Sequence, residues 1–212
     1  MINNIEAEHI IVTALGTFQY FAGHLKAYSS LIEQHLEQEQ SAMWDPYSKD
    51  VPRPEGSVFD RRWGLEVFYP TTLRESLLVA SFSQFESTMN VLCAKIGMAH
   101  KCTVALSDLK GSGVNRVRTF LRKVIRLSLP DHVWAPVIFL NTLRNLVVHN
   151  NSQVDSKNGE HRKLRKTAEQ WPTLEVPEDG RISFRTGFNE KAIDAFVELF
   201  DQLRRNNTSY AP

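Results

Sequence analysis

From Ile11 to Leu36 the apolar residues Ile11, Leu15, Phe18, Ala22, Leu25, Ile32 and Leu36 keep a four-then-three spacing that only Ser29 interrupts, with Ala14, Phe21 and Tyr28 beside them. That period places one apolar stripe along a single long amphipathic helix, over about residues 5–40. A stripe of this length is hidden from water only by other long elements laid against it. The rest of the chain supplies them. Thr71 to Ile96 repeats the pattern through Leu78, Phe82, Phe85, Met89, Leu92 and Ile96, with Thr71 or Thr72 as a cap and Gly97 as a stop. After Gly111-Ser-Gly113, the residues Val114, Val117, Leu121 and Val124 predict a third helix ending before Pro130. Asp131 can cap a fourth through Trp134, Val137, Ile138, Leu140, Leu143 and Val147, with Pro136 falling early enough to be tolerated. A fifth spans about residues 189–206, with Ala192, Phe196, Leu199, Phe200 and Leu203 on its apolar side.

Between these stretches the periodicity fails. Pro46, Pro52, Pro54, Gly56, Gly64 and Pro70 punctuate residues 44–70, which read as a long connection whose aromatics argue against a free linker. Residues from Asn150 to Gln170 read as a polar loop, and Thr173–Val176 and Arg181–Phe184 flank a turn at Pro177-Glu-Asp-Gly180. The reading is an all-α fold: an antiparallel helical bundle of about five main helices with a small accessory β-hairpin near residues 173–185. It forms a single domain over residues 1–212, with its core at about 71–150 plus the C-terminal helix.

Composition narrows the function classes. Hydrophobic residues make up 42% and charged residues 23%, which excludes a chain disordered throughout. No apolar run is long enough to cross a bilayer and the start lacks a basic secretory leader, so a soluble cytoplasmic protein with no membrane partner is expected. Cys93 and Cys102 have no CxxC spacing and read as core thiols in a reducing compartment. The net charge of +1 hides an uneven distribution: residues 1–60 hold 3 Lys/Arg against 9 Asp/Glu, whereas residues 101–166 hold 13 against 4. A basic middle is what a polyanion site needs, and a solvated helix face gives the same count.

The chemistry-bearing stretch is Leu143-Arg144-Asn145-Leu146-Val147-Val148-His149-Asn150, where a hydrophobic helix meets a polar segment. At about 100° per residue, Asn145 and His149 share a face one turn apart, while Arg144 points about 100° from Asn145. Arg144 therefore reaches the imidazole only through its long stem or through unwinding near His149. The chain resembles HEPN-domain proteins in this stretch, whose signature is Arg, a polar residue, a short spacer and His on a helix of an all-α bundle. The stretches Ser81-Phe-Ser-Gln-Phe-Glu-Ser-Thr-Met-Asn90 and Leu109-Lys-Gly-Ser-Gly-Val-Asn-Arg-Val-Arg-Thr-Phe-Leu121, followed by Trp134, are similar to the defence-associated subgroup of that family. The resemblance covers about residues 71–150. It implies either a metal-independent endoribonuclease that acts as a homodimer, often as a toxin or phage-defence effector, or an inactive module that binds RNA, nucleotide or a partner protein. It leaves room for a cognate antitoxin or a larger defence complex, and implies no cofactor and no metal.

What the reaction requires can be set out independently. Cutting RNA without metal needs a base for the 2′-hydroxyl, an acid for the leaving 5′-oxygen and a cation on the phosphorane charge. His149 can serve as acid or base, Arg144 is a permanent cation matched to phosphate oxygens, and Asn145 can orient the imidazole or hold a phosphate. One chain supplies one such imidazole, so a two-fold dimer placing both motifs at one interface is expected. Candidate RNA-backbone contacts are Arg118, Arg122 and Arg126, recurring every fourth residue on the third helix with Lys123 beside them, and Arg162, Lys163, Arg165 and Lys166 in the polar loop. Gly111-Ser-Gly113 reads as a helix-start turn, Trp134 as core, and Glu86 as a carboxylate tied to a neighbouring helix rather than a catalytic one. His9, His24, His35, His100 and His132 show no paired metal spacing.

Overall fold

The computed structural model describes residues 4–43, 61–111, 113–155 and 159–208. Helix α1 runs from Asn4 to Met43, and its stripe of Ile11, Leu15, Phe18, Ala22 and Leu36 is buried together with the interrupting Ser29. Helix α2, Tyr69–Ala99, lies antiparallel to it. Contacts show the direction, because the partner number falls as the α1 number rises: the Phe18 ring meets Phe85 at 6.1 Å, Glu33 meets Arg74 at 2.6 Å, and Gln40 Nε2 donates to the Leu65 carbonyl at 2.6 Å. The C-terminal helix, α6, Phe188–Thr208, is antiparallel to α1 on the same test, with Phe18 against Phe200 at 5.3 Å and Lys26 paired to Asp194 at 2.5 Å. Phe18, Phe82, Phe85, Phe196 and Phe200 thus join three helices in one aromatic centre, where Phe85 and Phe196 stack at 4.6 Å. Among the described residues the architecture is an all-α bundle with one small hairpin, and no helix is long and apolar enough to cross a membrane.

Residues 44–60 of the predicted connection lie outside the described residues, but its remainder is not a loop. Residues 61–68 are helical and lead straight into α2 through a wide π turn at Gly64–Phe68, with the Tyr69 N–H bonded to the Gly64 carbonyl. Pro70 explains the widening. Proline has no N–H to donate and crowds the carbonyl four residues earlier, and a π turn relieves that crowding without ending the helix. Gly97 is likewise no stop: α2 continues to Ala99, and a Cβ at Gly97 would sit 3.2 Å from the Phe120 ring. The glycine is there for close packing.

Helix α3, Gly113–Phe120, also passes into a π turn, Leu121–Ile125, and ends at Arg126 in the left-handed conformation. Helix α4, Asp131–Asn150, follows after Pro130, and Asp131 is its first residue rather than a side-chain cap, bonding Arg118 at 2.5 Å instead. The predicted polar loop contains a fifth helix, α5, Gly159–Ala168, which buries His161, Leu164 and Ala168. The hairpin pairs β1, Leu174–Glu175, with β2, Ser183–Phe184, antiparallel in the register Leu174 to Phe184. It is a small addition to the bundle and is packed onto it: Leu174, Ile182 and Phe184 belong to the main core, and Trp171 packs between Phe139 and Phe188. Arg74 fastens it to the bundle, donating to the Phe184 carbonyl and to Thr186 Oγ1, both at 2.9 Å, while its other hydrogen bonds hold Glu33. Cys93 is a core thiol whose pKa burial pushes up to about 12, whereas Cys102 is half-buried beyond α2 and is not core.

Candidate functional site

Helix α4 presents Asn141, Asn145 and His149 at four-residue intervals, so successive side chains advance only about 40° and form one polar ladder. The neighbouring strip, Val133, Val137, Leu140 and Leu143, is buried in the core, and the 40° advance per step turns the row away from that strip, from half-buried Asn141 out to exposed Asn145 and His149. A cleft of about 550 Å³ opens along it, lined by Asn141, Arg144, Asn145 and His149 from α4, Glu86 from α2 and Gly113 at the start of α3. Arg144, Asn145 and His149 therefore share one cavity. Arg144 gets there by its stem, since α4 stays helical through Asn150: the side chain bends around the helix and Nη1 donates to Asn145 Oδ1 at 3.1 Å. His149 and Asn145 are exposed, and Arg144 is half-buried.

The guanidinium is incompletely satisfied. Arg144 Nε is buried with no hydrogen-bond partner, and Arg144 pairs with no carboxylate among the described residues. An unmatched charged donor beside an open cleft is costly as it stands and is relieved by an anion that brings acceptor oxygens.

Glu86 was read from sequence as tied to a neighbouring helix. It is half-buried, carries no hydrogen bond among the described residues, and faces the cleft. A Cβ at Gly113, whose φ is +50°, would lie 2.9 Å from Glu86 Oε1, so glycine is what lets the carboxylate approach the first turn of α3. The positive end of that helix favours a negative group there. Asn141 is a cleft residue that motif reading passed over, although the four-residue recurrence Asn141, Asn145, His149 carried its signal. Glu86 stood out in sequence as a carboxylate in an apolar stretch, but its arrival at the cleft depends on the packing of α2.

None of the predicted RNA-contact residues lines the cleft. The stripe Arg118, Arg122, Arg126 is broken, because the π turn changes the angular step and Arg126 has left the helix with φ 66°. Arg118 is taken up by Asp131, while Arg122, Lys123 and Arg126 are exposed. Arg162, Lys163, Arg165 and Lys166 form the exposed face of α5, with Arg165 only 3.8 Å from Glu178. The described residues contain no group of three or more His, Cys, Asp or Glu side chains arranged to hold a metal ion. In comparison with known proteins, the chain matches no family model, no curated protein and no solved structure.

Proposed function

We propose that this protein is a HEPN-type, metal-independent endoribonuclease that cleaves RNA by attack of the 2′-hydroxyl, with Arg144, Asn145 and His149 as its catalytic residues, acting as a toxin or phage-defence effector in the cytoplasm. The observation that carries the reading is the meeting of Arg144, Asn145 and His149 in one open cleft, with the Arg144 Nε unsatisfied. A phosphodiester placed there gives its non-bridging oxygens to Arg144, which offsets the extra negative charge of the phosphorane. Asn145 holds the Arg144 fork in place through its Oδ1. His149, in its neutral form, takes the 2′-proton as the 2′-oxygen attacks phosphorus, or in its charged form protonates the departing 5′-oxygen.

Both transfers are needed in one turnover, and a homodimer facing two clefts across a two-fold axis supplies both imidazoles. The exposed basic face of α5 and the Arg122, Lys123, Arg126 turn would add phosphate contacts that carry affinity without reading sequence. The competing reading is a module that binds RNA, nucleotide or a partner protein, with an antitoxin or defence complex as such a partner, and it is favoured by the presence of a single motif imidazole in the cleft of each chain. Incubation of the purified protein with total RNA in EDTA, beside His149→Ala, separates the two. The nuclease reading expects fragmentation by the wild type and none by the variant. RNA retained by the wild type but left intact would establish the binding module.

A further inference from the structure

We infer that Ser152 and Glu75 are positioning residues for His149, and that the hairpin serves as the buttress of the catalytic helix end; the inference rests on the cleft being the reactive site. His149 is the next-to-last residue of α4, in the turn where helices ordinarily fray. A proton-transfer group there is useful only if that turn is held. The chain beyond it is strained: Asn151 and Ser152 are both left-handed, with φ of 50° and 61°. Asparagine tolerates that region, but serine enters it at a cost and stays only where surrounding contacts over-determine it.

Those contacts converge on Ser152, which is 1% exposed. Its N–H donates to the Leu146 carbonyl at 3.0 Å, closing the helix from outside, and its carbonyl accepts the Ile182 N–H at 2.9 Å. Its hydroxyl donates to Glu75 Oε1 on α2. Beside it, Gln153 bridges to Arg181, and the Val154 N–H bonds the Gly180 carbonyl at 2.9 Å. Gly180, with φ +83°, permits this approach, because a Cβ there would stand 2.1 Å from the Val154 carbonyl oxygen. Adjacent residues of α2 thus grip both sides of the buttress: Arg74 holds the end of β2, and Glu75 holds the Ser152 segment that is bonded to Gly180, Arg181 and Ile182 just before β2. The last turn of α4 is clamped between α2 and the hairpin, and His149 is carried on that clamped turn.

The test reads His149 directly, so it does not depend on nuclease activity. Imidazole resonances of 15N-histidine-labelled protein are recorded through a pH titration for the wild type, Ser152→Ala, Ser152→Gly and Glu75→Gln, with His149→Ala to assign the peak. Ser152→Gly removes the hydroxyl while easing the left-handed backbone, which keeps a folded variant available if Ser152→Ala unfolds. The expected result is a shifted or broadened His149 signal in both Ser152 variants, with the imidazoles on α1, His9, His24 and His35, unmoved, and a near-wild-type signal in Glu75→Gln, whose amide oxygen still accepts. If the wild type cuts RNA, the Ser152 variants should lose kcat by about 10- to 100-fold with KM little changed, the penalty of a misplaced catalytic group. A His149 signal superimposable on wild type in a folded Ser152 variant would overturn the inference. Failure of the wild type to cut RNA, with His149 still displaced in the variants, would instead overturn the nuclease reading alone.

Discussion

Removing Arg74 should destabilise the fold out of proportion to its one side chain. Its guanidinium grips both oxygens of Glu33, through Nε at 2.6 Å and Nη2 at 2.7 Å, and the two side chains are only 16% and 10% exposed. With Arg74→Met, which keeps the stem, Glu33 retains, among the described residues, only Thr186 Oγ1 at 3.3 Å as a hydrogen-bond partner. Breaking a buried pair from one side costs about 3–5 kcal/mol, because the remaining charge stays desolvated and unmatched. The exposure of this pair puts the expectation near the lower end, ~3 kcal/mol, part of it from freeing the Phe184 carbonyl and hence the hairpin. Replacing both partners, Arg74→Met with Glu33→Leu, removes the stranded charge and should cost less than the two single changes together, with a coupling of about 2 kcal/mol. Urea unfolding followed by helical circular dichroism measures all three. A loss below about 1 kcal/mol for Arg74→Met, or strict additivity in the cycle, would show that Glu33 is solvated after all and that the hairpin is held by other contacts.

His149→Ala and Arg144→Ala should each abolish RNA cleavage while circular dichroism and the urea midpoint stay close to wild type, within about 0.5 kcal/mol for the exposed His149; unfolding would assign these residues to structure. Mixing wild-type chains with an excess of His149→Ala chains under subunit exchange should lower activity per wild-type chain steeply. Strict proportionality would place acid and base in one chain and direct attention to Glu86, the other proton-handling group in the cleft. Native protein should react with a thiol reagent at Cys102 and not at Cys93 until unfolded. Since burial raises the folded Cys93 pKa to about 12, the unfolded chain gives up this proton first, so stability should decline as pH climbs above about 9; native labelling of Cys93 at pH 8 would contradict its burial.

What could be read from sequence was what one helix face carries. The stripe on α1, the Phe82 and Phe85 positions on α2 and the Phe196 and Phe200 positions on α6 are periodic, and the core is built from them. The ladder of Asn145 and His149 was legible for the same reason. Departures came where the backbone leaves the 3.6-residue period, at the π turn before Pro70 and at the one ending in Arg126, since a wider turn re-aims the side chains without changing the apolar spacing that marks a helix. Helix α5 was hidden because its buried stripe is His161, Leu164 and Ala168, in which a histidine stands where a hydrophobe would announce a helix. His161 is accommodated there by a 3.0 Å hydrogen bond between its Nε2 and the Pro177 carbonyl. Glu86 in the cleft, and the pairing of Ser152 and Val154 with Ile182 and Gly180, depend on contacts between distant segments, and no local pattern encodes them.

The chemistry of the cut ends tests the central claim most directly. A defined RNA is incubated with the protein in EDTA, and the fragments are weighed by mass spectrometry. Attack by the neighbouring 2′-hydroxyl, with His149 moving the protons and Arg144 holding the phosphate, predicts a 2′,3′-cyclic phosphate or its 3′-phosphate hydrolysis product opposite a 5′-hydroxyl, all absent with His149→Ala. Fragments ending in 3′-hydroxyl groups, formed only when divalent metal is present, would contradict the account and assign the cutting to metal-assisted hydrolysis.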